Sequence, residues 1–150
     1  MANRAPYKQR ERKYVVDYVR TKYPDSYVLY NFRVGGIPTK LEGVDITGLS
    51  SNIYKVFNRY VDAIVITADK IILIEAKILA DIGAVSQLEY YASLVYQTPE
   101  LAQYSKLPLE LRIVTASADP SFVAYATSKG INVQVFQTQD AVDYLAQLLK

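Results

Sequence analysis

The 150-residue sequence predicts a single α/β domain, residues 1–150, with a central mixed β-sheet flanked by helices. Three observations carry this expectation. Segments with strand and helix periodicity follow one another as α-β-β-β-α-β and then α-β-α, an αβββαβ core with an appended αβα unit. Two strand-like runs, Val61–Thr67 and Ile71–Ile78, are so short and so apolar that they suit strands buried on both faces. No internal repeat, low-complexity tract or composition shift marks a second domain.

The elements follow in order. Tyr7–Tyr23 is the first predicted helix: Tyr14, Val15, Tyr18, Val19 and Lys22 keep helical spacing, and Pro24 ends it. Tyr27–Val34 alternates as the first strand until Gly35-Gly36 and Pro38 break it. Residues 35–58, with Gly43, Asp45, Gly48 and Ser50-Ser51-Asn52, read as a long loop with a short helix around Ile53–Phe57. A connection of that length is usually functional or mobile, and Lys40, Lys55 and Arg59 give it a basic character that suits a substrate-facing loop. After the paired runs, Gly83–Tyr96 reads as a helix with Val85, Leu88, Ala92 and Val95 inward. Pro99 and Pro108 bracket a short irregular or helical segment. Leu111–Thr115 reads as a strand, Asp119-Pro120 opens a helix that ends at Gly130, and Ile131–Phe136 is the last strand. Thr138 caps the closing amphipathic helix, Asp140–Leu149.

The chain is organised around Arg59–Lys77, a predicted β-hairpin with Ala68, Asp69 and Lys70 as turn residues. If Ile66 pairs with Ile71 across a four-residue turn, Asp62 lies opposite Glu75. Directly opposed side chains point to one face, with Cβ atoms about 4.5–5.5 Å apart. Lys77 shares that face because strand side chains repeat every two residues. Two facing carboxylates repel unless a cation sits between them, and Mg²⁺ commonly takes one or two carboxylates. The alternative is that Asp62 ends a strand at the surface and Glu75 and Lys77 form an exposed edge pair.

Asp62 followed by Glu75-Ala76-Lys77 across a short hairpin resembles the active-site motif of the PD-(D/E)xK nuclease superfamily, and the element order resembles its restriction-endonuclease-like core. Val61 stands where the family often carries proline. The resemblance implies a Mg²⁺-dependent nuclease, with Mn²⁺ able to substitute, acting on nucleic acid and on DNA in preference to RNA. It implies that Asp62, Glu75 and the Ala76 carbonyl hold the metal and that Lys77 orients or deprotonates the attacking water. In several branches an acidic residue on the first helix joins the metal site. Glu11 matches that position, and equally suits pairing along its helix or solvent exposure. Gln87 and Tyr91 are similar to a QxxxY motif of the exonuclease branch that helps to bind substrate; the alternative is an exposed Gln beside a half-buried Tyr. The resemblance also admits a homodimer and a prokaryotic or virus-encoded protein acting in the cytoplasm. The rival reading on the same fold is a catalytically silent nucleic-acid-binding or virion-assembly module.

Composition narrows the chemistry further. Histidine and cysteine are both absent. That excludes His-dependent triads, His-ligated zinc, disulfides and thiolate chemistry. Acid–base work falls to Asp, Glu, Lys, Tyr or metal-bound water. Residues 1–22 hold seven Lys/Arg against two acids, while the remainder is net acidic. Arg10, Arg12 and Lys13, interleaved with Tyr7, Tyr14 and Tyr18, are therefore candidate phosphate contacts or a solvated helix face. No apolar run approaches the roughly 20 residues of a membrane span, and the polar start MANRAPYKQRERK argues against secretion.

Overall fold

The computed structural model describes residues 4–35, 42–43 and 59–150. The expected loop helix at Ile53–Phe57, with Lys40 and Lys55, lies outside these. The element order is the expected one: α1 (Arg4–Lys22), β1 (Tyr27–Arg33), β2 (Tyr60–Ile66), β3 (Ile71–Leu79), α2 (Ile82–Leu94), β4 (Leu109–Ser117), α3 (Pro120–Ser128), β5 (Ile131–Val135) and α4 (Gln139–Leu148). The irregular stretch between Pro99 and Pro108 begins as a 3₁₀ turn, Pro99–Tyr104. The five strands form one sheet in sequential order. The β1–β2 and β2–β3 pairs are antiparallel, whereas β3–β4 and β4–β5 are parallel. The sheet is therefore mixed, with α2 and α3 as the crossovers that parallel pairing requires.

Two cores sandwich the sheet. One packs Ile64, Ile66, Ile71, Leu73 and Ile113 against Val85, Leu88 and Tyr91 of α2. The other packs Ala63, Val65, Ile72, Ile74, Val114 and Ala116 against Tyr14, Val15, Tyr18 and Val19 of α1 and Ala141 and Leu145 of α4. Alternate residues of β2 and β3 thus serve opposite layers, which explains why both strands read as continuous apolar runs. Lys22, on the predicted apolar stripe of α1, is exposed. In α2 Ala92 packs against the core as expected but is only half-buried, and Tyr91 beside it is buried as well. The helix ends at Leu94, and the chain tightens into a 3₁₀ turn that still buries Val95. Capping follows the sequence: Asp81, Asp119 and Thr138 accept hydrogen bonds from the amides of Ala84, Phe122 and Ala141.

One polar network crosses the α1 layer. Arg112 is buried on β4 and is satisfied by Glu110, Tyr18 and Tyr23. Glu110 also accepts from Lys70 at 2.7 Å. Burial alone would raise the Glu110 pKa, but Lys70 and Arg112 outweigh it and the carboxyl sits below its ordinary value. Its contribution is therefore present at neutral pH and is lost as pH falls through the lowered value. Removing Glu110 leaves a buried guanidinium without its anion, whereas removing Lys70 exposes nothing. Glu110→Ala should destabilise the fold by about 2–3 kcal/mol, and Lys70→Ala by less than about 1 kcal/mol. Urea titrations of the two variants at pH 7 check the ranking.

Candidate active site

The hairpin register is the one counted from the sequence. Ile66 pairs with Ile71, and the ladder runs outward to Ala63 and Ile74. There it stops. β2 continues against β1, through Val61–Phe32 and Tyr60–Arg33, while β3 continues against β4 as far as Leu79. A gap opens between the two strands one residue beyond the last pair, and Asp62 and Glu75 stand on either side of it. The Ala76 amide has lost its strand partner there and donates instead to Asp62 Oδ2 at 2.9 Å. N–H and C=O of one strand residue point the same way across a ladder, so the Ala76 carbonyl also faces the gap.

A cavity of about 450 Å³ lies over this gap, lined by Glu11, Arg12, Asn31, Tyr60, Asp62, Glu75, Lys77, Gln87 and Tyr91. The hairpin supplies the two acids and the lysine. The i,i+4 spacing on α2 turns Gln87 and Tyr91 to one wall, and the first half of α1 brings Glu11 and Arg12 to the other. Arg10 is not at the cavity; its guanidinium lies over the Tyr144 ring of α4, 4.6 Å from the centroid. Lys13 is exposed on α1 and does not line the cavity. Asn31 and Tyr60 line it without having been singled out in the sequence. The unusual signal was an Asn inside a strand otherwise rich in aromatic and branched residues. Its distance from Asp62 could not be counted, because the long segment between β1 and β2 sets no register.

The electrostatics of the pair follow from burial. Glu75 is 3% exposed. Desolvation first, then the neighbouring Asp62 charge, holds its carboxyl well above the ordinary range, against the pull of Lys77. Asp62 is also raised, chiefly by desolvation, although the Ala76 amide and Lys77 pull it down. Glu75 Oε1 is buried with no hydrogen-bond partner among the described residues. Tyr91 is pushed up to about 12 by burial and then by the Glu75 and Asp62 charges, so its phenol stays protonated as a donor. Oxygen donors crowded at one gap, one of them buried and unsatisfied, fit a hard divalent cation. Among the described residues no three acidic or other ligating side chains come together as a metal cluster. Glu11 thus lines the cavity without completing a three-carboxylate site.

Because both carboxyls are raised in the fold, their protonated forms favour folding. That contribution is full below the ordinary carboxylate range and is lost as pH rises through the raised values. Glu75→Gln keeps the shape and removes the charge. In chelator-treated protein it should raise stability at pH 7–8 by about 1–3 kcal/mol and flatten the decline in Tm above about pH 4.5. Thermal denaturation of both proteins across that range is the check; parallel curves would mean that Glu75 carries no charge penalty.

Comparison with known proteins places the fold. No family model and no curated protein matches the sequence. Among solved structures, a repair endonuclease from Pyrococcus abyssi is similar, with a TM-score of 0.50 and 15% sequence identity over 82% of this chain and 45% of that one. The chain thus spans less than half the length of that endonuclease. No helix among the described residues is long and apolar enough to cross a membrane. At this level of identity the likeness is one of architecture: a mixed five-stranded sheet with flanking helices, in a nuclease-like α/β fold.

Proposed function

We propose that this chain is a metal-dependent nuclease of the PD-(D/E)xK type that hydrolyses phosphodiester bonds, with DNA as its preferred substrate. One observation carries the reading: Asp62, Glu75 and Lys77 of the hairpin share a single cavity with Gln87 and Tyr91 of the next helix. The fold likeness to a repair endonuclease supports a nuclease-like reaction class; the preference for DNA is part of the proposal. Asp62, Glu75 and the Ala76 carbonyl would hold Mg²⁺ or Mn²⁺. The ion would supply Lewis acidity, lowering the pKa of water and neutralising charge on the phosphate.

The chain's own residues do the rest. Asp62 is oriented by the Ala76 amide, so one of its oxygens is already fixed before any ligand arrives. Lys77 lies one strand repeat beyond Glu75 on the same side. An ammonium carries donors and no acceptor, so Lys77 is not a metal ligand while charged. It donates to the attacking water or to the phosphate oxygen that gains charge in the transition state. Gln87 and the protonated Tyr91 offer an amide and a hydroxyl to the nucleic-acid strand from the α2 wall. Arg12 brings a cation to the opposite wall.

The decisive comparison is Lys77→Ala beside Glu75→Ala. Lys77→Ala should lower single-turnover cleavage about 10²- to 10⁴-fold while calorimetric titration still detects Mg²⁺ or Mn²⁺; Glu75→Ala should lose metal and cleavage together. Linear, circular, branched and single-stranded DNA, with matching RNA, are the substrates. A wild-type protein that binds these but cleaves none would instead be a silent binding module.

The basic helix makes a separate expectation. Arg12 faces the cavity, and Arg10 is occupied with Tyr144. Arg12→Ala should therefore reduce the log–log salt dependence of duplex binding by about 0.9, the value of one lost phosphate contact, and Arg10→Ala should change it less. Fluorescence anisotropy over a salt series measures both slopes; equal slopes would move the phosphate track away from Arg12.

A further inference from the structure

Among the described residues, Asn31 is the one non-glycine residue with positive φ, at 47°. It sits in the middle of β1, where left-handed backbone is foreign to the pleat. The register places it with care. Tyr30 pairs with Ala63 and Phe32 with Val61, so Asn31 falls opposite Asp62, yet these two form no ladder pair. The register is the same on both sides of the break, so no residue has been inserted, as it would be in a β-bulge.

The packing reveals what changes there. Leu29 and Phe32 are three residues apart and both pack into the α2-side core. Val61 and Ile64, also three apart, do the same. A regular pleat sends residues three apart to opposite faces. Both strands therefore turn over by half a pleat at the same level, β1 at Asn31 and β2 at Asp62. The turn in β2 directs the Asp62 carboxylate into the gap beside β3, where it meets the Ala76 amide, rather than out from one face of the sheet.

We infer that Asn31 is a positioning residue for Asp62: its left-handed backbone supplies the β1 half of this paired turn and so sets the direction of the carboxylate. The catalytic consequence rests on the nuclease reading, but the positioning does not. Asn adopts this conformation more readily than other non-glycine residues, Gly adopts it freely, and Ala resists it. The side chain matters less than the dihedral angle. Asn31→Gly is accordingly the rescuing variant and Asn31→Ala the disrupting one.

Amide hydrogen exchange at Ala76, measured on the chelator-treated protein without nucleic acid, reads the Asp62 bond directly. In Asn31→Ala it should speed up by about tenfold, the scale of the conformational penalty, while Ile72 and Leu73 in the adjoining ladder keep their protection. In Asn31→Gly Ala76 should stay protected. In cleavage assays with Mn²⁺ and DNA, Asn31→Ala should lose about a hundredfold in kcat, as a misplaced reacting group does, with KM within about threefold. Asn31→Gly should recover most of that loss. Unchanged Ala76 exchange in Asn31→Ala overturns the inference. So does an Asn31→Gly protein as impaired as Asn31→Ala, because the amide side chain would then be the active element. If wild-type protein cleaves no substrate, the nuclease reading fails, and exchange at Ala76 still decides the positioning role. Should Asn31→Ala fail to fold, Asn31→Ser puts the same question to the backbone.

Discussion

The site depends on a ladder that ends early. β2 and β3 part after Ala63 and Ile74, and an interior amide is left without a backbone acceptor. An orphaned buried amide costs about as much as a lost hydrogen bond. Asp62 removes that penalty by offering its own carboxylate at 2.9 Å. The same contact holds a charged group at the mouth of the gap, beside Glu75, where a sheet would ordinarily hold apolar side chains. One hydrogen bond thus joins the architecture of the sheet to the chemistry of the cavity.

The arrangement is electrostatically costly, and the cost is informative. Burying an ionised carboxylate without a partner is among the most unfavourable things a fold can do. Here two are placed together, and both are pushed toward their protonated forms by desolvation. Lys77 offsets part of this. The unsatisfied oxygen of Glu75 remains. The left-handed Asn31 on the neighbouring strand is a second local departure from ideal geometry at the same level of the sheet. Strain and buried charge concentrated at one spot are typical of sites where geometry serves chemistry rather than stability.

The rest of the molecule supplies the rigidity. Continuous apolar runs in β2 and β3 feed two cores at once. At the far end of the hairpin, Lys70, Glu110 and Arg112 form a network that Tyr18 and Tyr23 complete from α1. Polar demand there is met by protein groups, in contrast to the cavity. α1 takes part at both ends, tied through Tyr18 and Tyr23 to the network and presenting Glu11 and Arg12 to the cavity.

What the sequence determined by itself was local. Period-2 and period-3.6 patterns set the order of the elements. An even turn set the Ile66–Ile71 register, which brings Asp62, Glu75 and Lys77 to one end of the hairpin. The i,i+4 spacing set Gln87 and Tyr91 on one face of α2. These depend on neighbours within a few residues, where side-chain direction follows from backbone geometry. The tertiary structure decided what depends on distant segments. The segment between β1 and β2 carries no count that would place Asn31 opposite Asp62 or Tyr60 at the cavity. Three basic residues close together on α1 look equivalent in sequence, but packing against α4 sends Arg10 to Tyr144 and leaves Arg12 at the site. The early end of the β2–β3 ladder is likewise non-local. Beyond Ala63 and Ile74, β2 keeps its pairing with β1 and β3 keeps its pairing with β4, and both of those partners come from distant parts of the chain.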